Sequence, residues 1–178
     1  MAVITVAEAE GVTLLPILLD LIGWSEGTSD SPATKNDGYD VIVVGADDQP
    51  EIFTDFSIHP FARGRAAKLI RPEEHGIPAL YSTASGRYQI IKKTWLEYQP
   101  MLKLTDFRPL AQDQIALELI RERNALPLLQ ANDVAGAINA LAGLWASMPG
   151  HPYPGQNSNT LEKLLVEFGA LKAKAAAQ

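Results

Sequence analysis

An apolar run over residues 12–24 constrains the fold more than any other stretch of this chain. It contains Pro16 and Asp20, and it is far shorter than the roughly 20 apolar residues that a membrane-spanning helix needs. A secretory signal would have basic residues before it, whereas here Glu8 and Glu10 precede the run. Because its leucines and isoleucines recur at helical spacing, we predict a buried helix with Pro16 in its first turn. We therefore expect neither an export signal nor membrane insertion.

A single carboxylate, Glu26, closes this run and is followed at once by Gly27, a residue type that commonly ends helices. Residues 29–38 are polar and turn-rich, so this carboxylate should open onto a loop. Partial burial at such a position raises the pKa of a glutamate and keeps its proton available for general-acid catalysis near neutral pH. The alternative is a solvated helix-end residue with no chemical role.

Composition excludes several classes of function. The chain has 178 residues and no cysteine, which suits one domain and excludes disulfides and cysteine metal sites. Its net charge is −6 and no run of Lys or Arg stands out, so we expect no nucleic acid partner. The three histidines, His59, His75 and His151, lack the spacing of a zinc site, so we expect no metal and no other cofactor.

Hydrophobic patterning predicts one helix, then a β-hairpin, then a helical block. The hairpin strands are expected over residues 39–44 and 51–56. Residues 57–80 hold Pro, Gly and a small basic cluster, and we predict an irregular segment whose cluster lies on the solvated surface or contacts a substrate carboxylate. Further helices are expected over residues 86–98, 106–123, 127–130 and 133–147, the last capped by Asn132, and from residue 161, capped by Thr160.

This order of elements predicts an α+β fold in a single domain over residues 1–178. A mainly helical lobe and a small β-hairpin lobe would enclose a cleft, with Glu26 where the lobes meet. Residues 1–10 are expected to form a short extension, and the Ala- and Lys-rich tail over residues 172–178 is expected to fray.

A series of short motifs occurs in one order over roughly residues 12–170. They are Trp24-Ser25-Glu26-Gly27-Thr28, Gly38-Tyr39-Asp40-Val41-Ile42-Val43, Phe53-Thr54-Asp55 with His59-Pro60, Gly86-Arg87-Tyr88-Gln89, Ala125-Leu126-Pro127, and Leu144-Trp145-Ala146-Ser147-Met148-Pro149-Gly150, with Tyr153 and Gln156 beyond. In this set the chain resembles the endolysins of lambda-type bacteriophages, which are lytic transglycosylases of the lysozyme superfamily. Residues 57–81 and the N-terminal extension are longer than in the family pattern, and the loop at residues 151–154 is richer in proline.

The resemblance implies that Glu26 is the catalytic residue. It also implies substrate-binding residues along the cleft: Tyr39, Asp40, Ser85, Gly86, Arg87, Tyr88, Gln89, Tyr153 and Gln156. Aromatic faces suit the apolar faces of sugar rings, but for the three tyrosines a place in the core is the alternative. For Asp40 the alternative is a hydrogen-bonded structural aspartate at the start of a strand.

The resemblance further implies that the substrate is the glycan strand of peptidoglycan. Glu26 alone would cleave the β-1,4 bond between N-acetylmuramic acid (MurNAc) and N-acetylglucosamine (GlcNAc), leave 1,6-anhydro-MurNAc ends and so lyse the host cell. The alternative is a hydrolytic muramidase of the same fold, which needs a second carboxyl group such as that of Asp40. A third reading is a catalytically silent glycan-binding or tail-associated protein.

The absence of an export signal, taken with the resemblance, also implies a location. We expect the protein to accumulate in the host cytoplasm until a membrane pore, a holin, releases it to the periplasm and the cell wall. We expect a monomer.

Overall fold

The computed structural model describes residues 1–150 and 159–177. It confirms the α+β class, with helices and two small antiparallel sheets. In chain order the elements are α1 (Leu15–Ser25), β1 (Val41–Ile42), β2 (Glu51–Ile52), β3 (Lys68–Arg71), β4 (Leu80–Ser82), α2 (Lys92–Met101), α3 (Pro109–Glu122), α4 (Ala125–Gln130), α5 (Val134–Ala140) and α6 (Leu161–Ala176).

The chain divides into two compact units. The first unit comprises Met1–Glu26 and Ala116–Gln178, and the second comprises Gly27–Ile115, so the boundary falls inside α3. The single domain expected over residues 1–178 stays a prediction.

Helix α1 forms the core of the first unit, as its apolar run predicts. Pro16 lies in its first turn, where the missing backbone N–H costs no hydrogen bond. The fully buried side chains of the helix are Leu15, Leu18, Leu19, Leu21 and Ile22. Burial of each of these side chains stabilises the fold by about 1.5–3 kcal/mol. This one helix therefore supplies a large part of the free energy that the first unit gains by burying apolar surface. No helix in residues 1–150 and 159–177 is long and apolar enough to cross a membrane.

Helix α6 packs against α1 and α5 within the first unit. Its predicted cap is confirmed, since the Thr160 hydroxyl accepts a hydrogen bond from the Lys163 backbone N–H at 3.2 Å. The helix continues to Ala176, and fraying of the tail over residues 172–178 stays a prediction. In the N-terminal extension, Ile4 and Ala9 are buried, and the Ala2 N–H donates to Asp20 of α1 at 2.5 Å.

Helix α5 differs from its prediction at both ends. Its cap is Asp133, which accepts from the Gly136 N–H at 2.8 Å, whereas the predicted cap Asn132 lies in the left-handed region with φ of 60°. The helix ends at Ala140 instead of continuing to residue 147, and Gly143 then adopts a φ of +78°. A left-handed residue breaks the helical hydrogen-bond ladder, so the chain beyond it is free to turn.

The first hairpin is confirmed, but its strands are shorter than predicted. Strands β1 and β2 pair antiparallel over two residues each. Beyond that pairing, the Val43 N–H donates to Ala84 and the Gly86 N–H donates to Val41, so residues 84–86 run along the other edge of β1. Part of the predicted strand at residues 39–44 therefore pairs with a distant segment.

The prediction of an irregular segment over residues 57–80 was wrong in part. Strands β3 and β4 form a second antiparallel sheet in which Leu69 faces Tyr81. This hairpin was not predicted, because the intervening prolines and Gly76 suggest a loop. Most of the basic cluster is paired on the surface, since Arg63 contacts Asp55, while Arg65 and Lys68 both contact Glu51.

Helix α2 begins later than predicted, at Lys92 instead of residue 86. Both Gly86 (φ +78°) and Gln89 (φ +47°) adopt left-handed conformations that a right-handed helix cannot contain. The intervening residues form a tight turn, in which the Ser85 and Ile90 backbones exchange hydrogen bonds of 2.9–3.0 Å.

His59 lies fully buried beside this turn in the second unit. Its Nδ1 accepts from the Phe61 N–H at 3.2 Å, so its Nε2 is the atom that donates to the Ile90 carbonyl at 2.9 Å. The ring also packs edge-on against Phe107 at 4.9 Å. Burial lowers the pKa of His59 from 6.5 to about 4.

This buried imidazole predicts an acid-sensitive fold. Between pH 6.5 and about 4 the unfolded chain binds a proton at His59 that the folded chain does not, so stability should fall as the pH drops through this window. The loss should reach at most about 3 kcal/mol. Urea unfolding measured from pH 7.5 to 4.5 gives the free energy of unfolding at each pH. This free energy should fall less steeply with decreasing pH in His59→Gln than in the wild type. His75→Gln is the matched control, because the His75 side chain is 86% exposed. An equal slope in all three proteins would contradict the prediction.

Candidate active site

Glu26 occupies the C-terminal cap of α1. Its backbone N–H donates to the Ile22 carbonyl at 2.9 Å, and Gly27 follows with a φ of +70°. The helix therefore stops where the sequence predicts, because glycine tolerates this left-handed conformation. The carboxyl group is half-buried, so the alternative of a fully solvated helix-end residue was wrong.

Ser147 is the hydrogen-bond partner of this carboxyl group. Its hydroxyl donates to Glu26 Oε1 at 2.5 Å. Burial raises the pKa of Glu26, and hydrogen bonds from the Ser147 hydroxyl and backbone N–H oppose that rise. The predicted upward shift of the Glu26 pKa is confirmed, whereas its catalytic role stays a prediction.

Two further polar residues surround Ser147 in the first unit. The Ser25 hydroxyl donates to the Ser147 carbonyl at 3.3 Å, and the Asn159 backbone N–H donates to the same carbonyl at 2.9 Å. The Asn159 amide also donates to the Ser25 hydroxyl at 3.0 Å. Sequence reasoning assigned no role to Ser147 or Asn159. For Ser147 the only signal was its place in one of the quoted motifs.

Tyr39 and Tyr88 are buried in the second unit, where they share one acceptor. Their hydroxyls donate to Asp113 Oδ1 at 2.7 and 2.6 Å, respectively. Their rings meet edge to face with centroids 6.2 Å apart. Burial, and then the charge of Asp113, raises the pKa of both phenols, so both remain protonated donors. This geometry matches the alternative of a core role, and sugar binding by these tyrosines stays a prediction without support.

Asp40 is buried immediately before β1, and both of its carboxylate oxygens accept local hydrogen bonds. The Thr34 hydroxyl donates to Oδ1 at 2.5 Å, and the Lys35 N–H donates to Oδ2 at 2.9 Å. These contacts match the alternative of a structural aspartate. A substrate contact by Asp40 stays a prediction.

The turn at residues 85–89 is mostly buried. Ser85 and Arg87 have little exposed surface, and Arg87 pairs with Asp37 at 2.8 Å. Gln89 is half-buried, and its amide donates to the Gly86 carbonyl at 3.0 Å. Substrate binding by this turn stays a prediction.

The remaining two predicted substrate-binding residues precede α6 in the sequence. Tyr153 and Gln156 lie outside the described residues, as does His151. Within the described part of the chain, no group of three or more His, Asp or Glu side chains is placed to hold a metal ion.

Comparison with known proteins identifies the family. Residues 16–175 match the sequence profile of the family described as Endolysin. The chain is 50% identical to the endolysin of Escherichia phage P2 over 147 residues, which cover 83% of this chain and 86% of that protein. The chain belongs to the endolysin family. It is also 42% identical to the endolysin of Escherichia phage lambda over 151 residues, covering 84% of this chain and 85% of that one.

Solved structures confirm the lysozyme-like fold of this endolysin family member. Bacteriophage lambda lysozyme complexed with a chitohexasaccharide matches with a TM-score of 0.77 and 38% identity, covering 89% of this chain and 94% of that one. Another structure of lambda lysozyme matches with a TM-score of 0.71 and 37% identity, covering 89% and 93%. The resemblance to lambda-type endolysins is thereby confirmed.

Gly86 should be irreplaceable for stability. Its φ is +78°, and a Cβ there would lie 2.0 Å from Gln112 Oε1. The Gln112 side chain cannot move freely, because it accepts from the Arg87 N–H and donates to the Tyr39 and Phe107 carbonyls. We expect Gly86→Ala to cost roughly 3 kcal/mol or more, since it combines backbone strain with lost buried hydrogen bonds.

Gly76 provides the matched control for this substitution. Its φ of +76° is nearly the same, but apart from Gly76 and its two chain neighbours no atom lies within 4 Å of the point that a Cβ would occupy. Gly76→Ala should therefore cost only about 1 kcal/mol, the cost of the left-handed conformation alone. Denaturant unfolding of both variants measures the difference. Equal losses in the free energy of unfolding would contradict the prediction, because they would mean that the Gln112 side chain can move aside without destabilising the fold.

The Ser147 hydroxyl should hold down the pKa of Glu26. Ser147→Ala removes a hydrogen bond that lowers this pKa, so the pKa should rise further. A ¹³C NMR titration of the Glu26 carboxyl carbon measures the midpoint directly. Ser147→Thr, which keeps a hydroxyl, is the control and should stay closer to the wild type. A midpoint that falls or stays constant in Ser147→Ala would contradict the assignment.

Proposed function

We propose that this chain cleaves the β-1,4 bond between MurNAc and GlcNAc in peptidoglycan by lytic transglycosylation. The endolysin and lysozyme relatives support a peptidoglycan-cleaving enzyme. A glycan substrate is supported by the lambda lysozyme structure, which holds a chitohexasaccharide. The observation that carries the finer proposal is one half-buried carboxyl group, Glu26, with a raised pKa and a fixed hydrogen-bond donor.

Glu26 first acts as the general acid. Because the Ser147 hydroxyl donates to Oε1, the transferable proton belongs on Oε2. This proton passes to the glycosidic oxygen as the bond from that oxygen to C1 of MurNAc breaks. The GlcNAc portion then leaves with a free hydroxyl, and Glu26 is left as a carboxylate.

Glu26 next acts as the general base. Its carboxylate takes the proton from the C6 hydroxyl of the same MurNAc residue while the C6 oxygen bonds to C1. The product is a 1,6-anhydro ring, no water is consumed, and Glu26 returns to its protonated form. The attacking hydroxyl belongs to the reacting sugar, so no encounter with a separate nucleophile is needed.

A hydrolytic muramidase is the second candidate, because the solved relatives are named lysozyme. Hydrolysis by the usual mechanism requires a second carboxyl group to activate water or to attack C1. Asp40 was the main candidate for that role, but its two oxygens are engaged by Thr34 and Lys35. These bonds favour the reaction that needs one carboxyl group.

The products of digestion decide between the two reactions. Mass spectrometry of purified peptidoglycan treated with the protein should show 1,6-anhydro-MurNAc ends, each one water lighter than a reducing end. Reducing MurNAc ends in their place would reject transglycosylation and support the muramidase.

Glu26→Gln should remove the activity, because the glutamine amide is too weak an acid to protonate the glycosidic oxygen near neutral pH. We expect a loss of about 10²–10⁴-fold or more in the rate of peptidoglycan cleavage, with the fold intact by circular dichroism. Asp30→Asn, which neutralises an exposed carboxylate four residues away, is the control and should retain activity. Unchanged cleavage by Glu26→Gln would reject the assignment of Glu26.

We also propose that the protein acts as a monomer and reaches the wall from the host cytoplasm through a holin pore. Expression in a Gram-negative host should cause lysis only when a holin is co-expressed. Lysis without a holin would reject this route, and a sedimentation mass above one chain would reject the monomer.

A further inference from the structure

We propose that Asn159 is a positioning residue for Glu26, because it holds the Ser147 hydroxyl on Oε1 and so assigns the transferable proton to Oε2. This inference rests on the proposed function, and it concerns a side chain that touches neither Glu26 nor the reacting atoms.

Two hydrogen bonds from Asn159, and a third between their partners, link the two segments that meet at Glu26. Its amide donates to the hydroxyl of Ser25, the residue immediately before Glu26, at 3.0 Å. Its backbone N–H donates at 2.9 Å to the carbonyl of Ser147, whose hydroxyl in turn donates to Glu26. Ser25 closes the ring by donating to the same Ser147 carbonyl at 3.3 Å. The end of α1 and the segment at Ser147 are therefore tied together by one residue.

The chemistry of an asparagine side chain suits this position. The amide offers donors and an acceptor at once, and here both kinds are used. While Nδ2 donates to Ser25, Oδ1 accepts from the Lys163 ammonium at 2.8 Å. Alanine would remove both contacts, and aspartate would remove the donor.

Asn159 also rests on a rigid support. It directly precedes Thr160, the cap of α6, and α6 packs against α1. A positioning residue can hold a partner within a few tenths of an ångström only if its own backbone is fixed. The start of a capped and packed helix meets that requirement.

One charged side chain, that of Lys163, joins this network, and it contacts Asn159 and not Glu26. The Lys163 ammonium lies 5.0 Å from the centre of the Trp24 ring and bonds to Asn159. On α6, Glu162 is exposed, and on α1, Asp20 accepts from the Ala2 N–H. The pKa of Glu26 is shifted by burial and by the Ser147 hydrogen bonds. Loss of the Ser147 contact should therefore appear directly in that pKa.

A double-mutant cycle tests whether Asn159 acts through Ser147. In Asn159→Ala the backbone bond to the Ser147 carbonyl stays, but the Ser25 hydroxyl loses the amide that orients it toward the same carbonyl. Ser147 is then held less firmly, so the Glu26 titration midpoint should rise, by less than in Ser147→Ala. The rate constant kcat for peptidoglycan cleavage should fall roughly tenfold, with KM changed less than about twofold. In the Ser147→Ala background, Asn159→Ala should produce no further change in the midpoint.

Asn139→Ala is the matched control, since Asn139 is exposed on α5, and it should match the wild type in both measurements. If Asn159→Ala does not fold, Ser25→Ala replaces it, because that change removes the acceptor for Asn159 and the second donor to Ser147. An unchanged midpoint in a folded variant would overturn the proposal, and so would independent, additive shifts in the double mutant.

The NMR midpoint does not depend on activity, which separates the two proposals. If the wild type fails to cleave peptidoglycan, the proposed function is rejected while the midpoint still tests the Asn159 contact. If Glu26→Gln is inactive but Asn159→Ala leaves the midpoint and kcat unchanged, only the role of Asn159 is rejected.

Discussion

The burial of α1 is the constraint on which the first unit and its chemistry depend. The packing that removes Leu18, Leu19 and Ile22 from water also leaves Glu26, the C-terminal cap of the helix, half-buried. Burial disfavours the charged carboxylate, so stability is lost as the pH rises from the unfolded pKa of Glu26 through its raised folded pKa. The protein thus accepts a stability cost at the residue to which we assign catalysis, as is common at functional sites.

The second unit uses buried polar groups for a different purpose. Asp113 accepts from Tyr39 and Tyr88, and the Arg87 guanidinium lies 5.3 Å from the Tyr39 ring. Each phenol fills core volume with its ring and satisfies its hydroxyl on one shared acceptor. A network of this kind is costly when it is broken and specific when it is complete. This network accounts for the burial of Tyr39, Tyr88 and Arg87, for which the family resemblance implies sugar binding.

Local signals predicted the parts of this fold that local physics decides. Helix α1, its end at Gly27 and the Thr160 cap all follow from neighbouring residues. The hairpin of β3 and β4 was not predicted, because its prolines and glycine suggest a loop, although the strands pair in their presence. The contacts around Glu26 were not predicted for another reason, which is their separation in the sequence. Ser147, which bonds to Glu26, lies 121 residues away from it, and the bonded residues Ser25 and Asn159 are 134 residues apart. No periodicity or spacing reports a contact between such distant segments.

The opposing effects on Glu26 suit a carboxyl group that must serve both as acid and as base. Burial alone would raise its pKa and favour the protonated acid, but a very high pKa would make that acid a poor donor. The Ser147 hydroxyl and N–H favour the carboxylate, which eases the first proton transfer. Proton transfer is most effective when the pKa lies near the working pH, because both forms are then accessible within one turnover. In the proposed reaction a single residue alternates between the two forms, so this balance replaces the division of labour between two carboxyl groups.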